Sequence, residues 1–299
     1  MRPSLAAIIS VLCFSAAIAL LGRSYQHLFF EGPYRSFFLD ESWFRGIQSL
    51  FSRQSWLDFV NSPRTDSQIR LYTRFIGFIW LATALGLFLH RRIPSRWLYL
   101  GAALSAFGML FYGLGAYLEK GYQSAQWMEY AAQTAMPLLA IALTTTSQYR
   151  LWLRVAKVAI ALTFVGHGLY ALGFFPLPGN FVYMTTQILG ISDESARDLL
   201  WVAGIVDLAV AFLLFVPRVD RYALLYCVVW GFLTALARPV TYLLPNHLFW
   251  LTVHQTIFEF LVRVPHFMLP LVAYWIVQRD WQTQSGSLSP SWKGNLRSA

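Results

Sequence analysis

Val165-Gly166-His167-Gly168-Leu169, followed by Phe174-Phe175 and Pro178, answers an earlier stretch, Leu21-Gly22-Arg23-Ser24-Tyr25, followed by Phe29-Phe30 and Pro33. Three further echoes keep equal spacing or matching neighbours. Asp66, Arg70 and Gly77 correspond to Asp193, Arg197 and Gly204; Arg96 and Tyr117-Leu118 to Arg221 and Tyr242-Leu243; Pro137-Leu138 to Pro270-Leu271. A unit written twice sets the architecture, and differences between its copies show which one kept polar chemistry.

The unit is a membrane unit. The 299 residues are 57% hydrophobic and 12% charged, and several apolar stretches reach the length that crosses a bilayer core. Strand-like alternation is absent, so helices must satisfy the backbone in lipid. The expected fold is all-α and polytopic, with about eight spans near 4–22, 71–89, 97–118, 127–146, 155–175, 199–217, 222–244 and 257–278. They form two four-helix modules, 1–148 and 149–281, followed by a disordered cytoplasmic tail at 282–299. Four spans return the chain to its starting side, so the copies share one orientation and a pseudo-two-fold along the membrane normal.

The net charge of +9 follows topology. Arg91, Arg92, Arg96, Arg150, Arg154, Lys157, Arg218, Arg221, Arg279, Lys293 and Arg297 all fall on one side of the expected spans, whereas the opposite short loops hold Lys120 and Arg197. This positive-inside pattern predicts cytoplasmic N- and C-termini, lipid as the surrounding partner and no nucleic-acid partner. The preference for Arg over Lys points to a bacterial inner membrane. Met1-Arg2 before an apolar run looks like a signal peptide, but the first span has an uncleavable counterpart in the fifth and is read as a helix. Cys13 and Cys227 sit in different spans, which excludes thiol–disulfide exchange chemistry.

The long external segment 23–70 is rich in aromatics and punctuated by Gly32-Pro33 and Ser62-Pro63, which predicts short amphipathic helices at the outer interface. Its shorter counterpart, 176–198, ends in Ser192-Asp193-Glu194, a helix start. A four-span module with an interfacial segment after its first helix resembles the DoxX-like membrane proteins. The resemblance rests on Gly166-His167-Gly168-Leu169-Tyr170, Pro178-Gly179 and Gly204, and covers most of 155–278 and, more weakly, 5–146. It implies a small integral membrane protein, in some cases a subunit of a quinone-reducing complex, and speaks more to fold than to activity. The membrane domain of vitamin K-dependent carboxylase-like proteins is similarly patterned.

Ionisable groups inside spans are costly and are functional candidates by default. The second copy holds His167, Asp207, Arg238 and His266, each expected roughly 9–14 Å below the outer boundary at 1.5 Å per residue. The first copy reads Arg23, Trp80, Gly113 and Gln133 at those places, which suits a scaffold, with Arg23, Arg70 and Arg74 near the same outer space. The polar layer admits several uses. His167 and His266 could ligate a b-type haem or hydrogen-bond a quinone, with Asp207 and Arg238 as a charge pair. It also suits a small-solute or proton-coupled transporter, or a non-enzymatic subunit that binds a membrane partner subunit. A purely structural reading stands beside these: Asp207 and Arg238 as a buried ion pair, and His167 hydrogen-bonded across a close helix contact. Glu259 with Arg263, and Glu129, read as interfacial, and His254 lies near the interface. No metal site, nucleotide loop or hydrolase motif is present.

Overall fold

The computed structural model describes residues 3–145, 148–243 and 248–284. Every regular element among them is helical: α1 (Leu5–Phe29), α2 (Arg35–Phe38), α3 (Glu41–Phe51), α4 (Trp56–Asn61), α5 (Pro63–Phe88), α6 (Ser95–Glu119), α7 (Ser124–Met128), α8 (Ala131–Thr145), α9 (Tyr149–Ala171), α10 (Gly179–Leu189), α11 (Asp193–Leu213), α12 (Asp220–Leu243), α13 (Phe249–Leu261) and α14 (Val264–Gln284). Among the described residues, six stretches are long and apolar enough to cross a membrane: α1, α5, α6, α9, α12, and α13 with α14 taken together. The chain is therefore an integral membrane protein in contact with lipid. Of the other two expected spans, α8 has 15 residues and is short for a crossing. The remaining one, α11, carries Asp193, Glu194, Arg197 and Asp198 in its first two turns and Asp207 further in.

Local chemistry sets the helix starts. Ser4 accepts from the Ala7 amide at 3.1 Å and caps α1. Ser62 caps α5, with Pro63 in the first turn, where a missing amide hydrogen costs nothing. Ser192 accepts from the Ser195 amide at 3.2 Å, and Asp193 and Glu194 follow, so α11 begins at the predicted start. Gly190 closes α10 with φ of +65°, a conformation that a side chain would strain.

The external segment is narrower than expected. Residues 23–29 extend α1 and residues 63–70 extend α5, the latter started by the Ser62 cap and Pro63. Between them α2, α3 and α4 are the predicted short helices. One face of α3 exposes Trp43, Ile47, Leu50 and Phe51, while Phe44 and Gln48 are buried. The turn before α2 drops Tyr34 into the bundle, fully buried and stacked on Phe111 at 5.6 Å. At the other end, residues 282–284 are still helical, and the rest of the expected tail lies outside the described residues.

Two expected spans are broken. The fourth divides into α7 and α8 around Glu129-Tyr130, and the eighth into α13 and α14 around Val262-Arg263. Each break receives a glycine from another helix. A Cβ on Gly22 of α1 would lie 2.7 Å from Leu261 Cβ and 2.9 Å from the Val262 amide nitrogen. One on Gly166 of α9 would lie 2.8 Å from the Ala125 carbonyl and 3.0 Å from the Glu129 amide nitrogen. Packing follows the same exchange. Helix α1 packs on α5, α8, α13 and α14, and α9 packs on α11, α14, α7 and α8. The buried core is continuous from Ile8 and Leu12 through Trp80 and Met136 to Leu224 and Val272.

Candidate functional site

The polar cluster is built around His167. Its neighbours in sequence let two backbones approach: Gly166 admits the end of α7, and Gly168 lies against Gly204 of α11, where a Cβ would be 3.1 Å from the Gly204 carbonyl. The first approach carries Glu129 up to the imidazole, with Nδ1 of His167 3.0 Å from Oε1. Gln126 donates to the other carboxylate oxygen at 3.1 Å. With Glu129 ionised, the proton on His167 belongs on Nδ1, and Nε2 has no hydrogen-bond partner among the described residues. The His266 ring, in the first turn of α14, lies beside that of His167 with centroids 5.4 Å apart and planes tilted by 46°. His266 is 5% exposed, and its Nδ1 is buried without a partner.

Arg238 comes from the last turns of α12 and donates to Glu259 of α13 at 3.2 Å; the guanidinium is 9% exposed and the carboxylate 28%. Its Nε is buried and unpartnered. Arg263, in the break before α14, donates to the main-chain carbonyl of Glu259 at 2.8 Å. No carboxylate lies within ion-pair distance of it among the described residues. Arg238 and Arg263 both act electrostatically on Glu129 and on His266, which joins these groups into one cluster.

Asp207 acts electrostatically on His167 but takes its hydrogen bond from elsewhere. It accepts from the Tyr226 hydroxyl at 3.0 Å, and Tyr226 precedes Arg238 by twelve residues of α12, roughly 18 Å of helix. The expected Asp207–Arg238 pair is therefore replaced by two separate contacts. The expected single layer becomes a cluster of His167, His266 and Arg238, with Asp207 on another neighbour. Replacing Tyr226 with phenylalanine should strip a donor from a buried carboxyl and cost about 1–3 kcal/mol in chemical or thermal unfolding. An unchanged midpoint would show that Asp207 is satisfied without Tyr226.

The residues of 1–148 that were expected to match this cluster make a closed set of contacts. Arg23 donates to Gln133 Oε1 from Nε at 3.0 Å and from Nη2 at 2.7 Å, and its Nη1 donates to Gln26 at 2.7 Å. The guanidinium lies 4.1 Å from the Tyr112 ring centroid. Trp80 is fully buried, and Gly113 makes room for Trp127, whose ring would be 2.7 Å from a Cβ there. Beside them His27 bonds to the Arg23 carbonyl and the Tyr34 hydroxyl, each at 2.9 Å. Arg70 pairs with Asp66 and, like Arg74, is exposed, so neither joins Arg23.

Glu259 with Arg263, and Glu129, were expected at the interface; the structure instead pairs Glu129 with His167 and Glu259 with Arg238, and leaves Arg263 on the Glu259 main-chain carbonyl. Their signal was indirect: each lies next to a helix break, and apolar residues run on through both breaks. His254 instead meets Tyr25 through a hydrogen bond, among Phe29 and Phe30, away from the cluster. Cys13 and Cys227 are free and buried. No family model, curated protein or solved structure matches the chain.

Proposed function

We propose that this chain is a proton-coupled carrier of a small solute, built as two fused four-helix modules with about eight membrane segments. In this reading the modules are residues 1–148 and 149–281, DoxX-like in plan, in a bacterial inner membrane with both termini cytoplasmic. The exchange of contacts between α1 and α9, and the glycine at each break, support the duplication. The observation that carries the carrier reading is the Glu129–His167 dyad at a broken helix between the modules. Broken helices at a repeat interface are where secondary transporters gather ions and substrate. The dyad holds one proton on Nδ1 and leaves Nε2 free to take another. His167 is 23% exposed at its side chain, enough for exchange, while His266 behind it is enclosed.

The same geometry weighs against the redox reading. Imidazoles side by side with centroids 5.4 Å apart leave no slot for a porphyrin plane between them. A bis-histidine haem b does not fit. A quinone would fit the donors but has no observation of its own in its favour, and neither has a role as a non-enzymatic partner subunit.

The test is proton movement. Proteoliposomes containing a pH-reporting dye are offered separate pools of carboxylic acids, amino acids, sugars and inorganic cations. At least one pool should drive lumenal acidification. Glu129→Gln, which keeps an acceptor for His167 but removes the charge, should lower the rate by at least tenfold, within the usual worth of a positioned proton acceptor. Silence with every pool, together with quinone extracted in stoichiometric amount, would replace the carrier with a redox subunit.

A further inference from the structure

Lys157 of α9 and Asp220, the first residue of α12, form an ion pair at 2.6 Å, with side chains 13% and 11% exposed. Asp220 also accepts from the Arg221 amide at 2.9 Å. The pair lies at the end of the molecule that holds Arg150, Arg154 and Arg218, the expected cytoplasmic side. It joins two helices whose main neighbours are others: α9 packs on α11, α14, α7 and α8, and α12 on α14, α13, α10 and α11. Counted from Gly22 and Arg96, the residues of 1–148 that the repeat would match to Lys157 and Asp220 are Cys13 and Ser95, which make no ion pair.

Beyond the pair comes an apolar layer. One and two turns along lie Ile160 and Phe164 on α9, and Leu224 and Cys227 on α12, all in the core and none more than 3% exposed. Phe164 meets Tyr226 with ring centroids 6.4 Å apart. Tyr226 donates to Asp207, and Asp207 acts electrostatically on His167. Titratable groups therefore recur from the Glu129–His167 dyad, past Asp207, to Lys157 and Asp220. His167 and Lys157 are ten residues apart, roughly 15 Å along α9. The dyad end is partly exposed, 23% at the His167 side chain, whereas the pair is enclosed.

We propose that Lys157 and Asp220 are the inner gate of the carrier, shut in this structure, and that parting them separates α9 from α12 and opens the layer at Phe164 and Cys227 to the cytoplasmic side. The proposal rests on the carrier reading and names how its site is closed. An ion pair suits the task energetically. Enclosed, its attraction is offset by the hydration that both ions have given up; parted, each ion recovers its water. The net difference between shut and open is therefore small, and a gate has to move both ways. An apolar seal has no such return on opening, since its surface gains nothing from water.

The native cysteines report the gate without any transport. Purified full-length protein in lipid nanodiscs would be treated with N-ethylmaleimide, and the labelling of each cysteine followed by peptide mass spectrometry. Cys13 and Cys227 are both free and buried, so both should react slowly in the unaltered chain. Asp220→Asn keeps an acceptor for the Arg221 amide but removes the charge. It should speed labelling of Cys227 about tenfold or more by shifting the population towards the open gate, and leave Cys13 unchanged. Exchanging the charges, Lys157→Asp with Asp220→Lys, should restore the slow rate. No acceleration at Cys227, acceleration shared by Cys13 as in general loosening, or acceleration that the exchanged pair fails to reverse would overturn the gate. A gate that passes while no solute pool moves protons would stand and reject the carrier. Proton movement with Cys227 labelling unaffected by Asp220→Asn would do the reverse.

Discussion

Arg238→Ala is expected to cost about 3–5 kcal/mol of stability, because it strands Glu259 without its partner next to the bilayer interior. The size follows from asymmetry: forming a buried pair returns little net energy, but removing one member leaves a desolvated charge. The double variant Arg238→Ala/Glu259→Ala should therefore recover most of the loss. Urea unfolding of the four members of this cycle would measure the coupling. If the double variant is as unstable as the sum of the singles, the two side chains act independently, and the contact at 3.2 Å contributes nothing specific.

The second large effect concerns a methyl group. Gly166→Ala places a carbon 2.8 Å from the Ala125 carbonyl oxygen and 3.0 Å from the Glu129 amide nitrogen, both backbone atoms that cannot swing aside. Overpacking of this kind costs about 1–3 kcal/mol and should push Glu129 away from His167 as it does so. The same substitution at Gly46, inside α3 with nothing within 4 Å, should instead stabilise by about 0.5–1 kcal/mol through helix propensity. Opposite signs for one chemical change, read as thermal midpoints, separate contact from propensity. Equal signs would show that α9 and α7 can draw apart without loss.

Much of this was legible in the sequence, for definable reasons. Hydropathy over spans is a bulk property, so helical membrane character and most helix positions followed from it. Arg23 and Gln133, and His167 and His266, were expected at similar depths, and the structure brings each pair into contact. What escaped was choice of partner. Depth was counted from span ends as though each span were one straight rod, yet Met128-Glu129-Tyr130 and Leu261-Val262-Arg263 are breaks that hydropathy runs straight through. The breaks turn Glu129 towards His167 and Glu259 towards Arg238, so Asp207 is held by Tyr226 instead. Pairing depends on backbone direction at those few residues, and composition does not encode it.

The reciprocal notches at Gly22 and Gly166 also set an order of events during biogenesis. Helix α1 is made before the chain turn that fills its notch, Leu261-Val262, which follows only after α5, α9 and α12. Until then its small-residue surface faces lipid. Glu129 likewise waits, uncapped, for His167 to be synthesised and inserted. The Gly166 notch therefore closes as soon as α9 is in place, whereas the Gly22 notch waits for Val262, and products truncated between the two should be recognised by membrane quality-control proteases as unfinished.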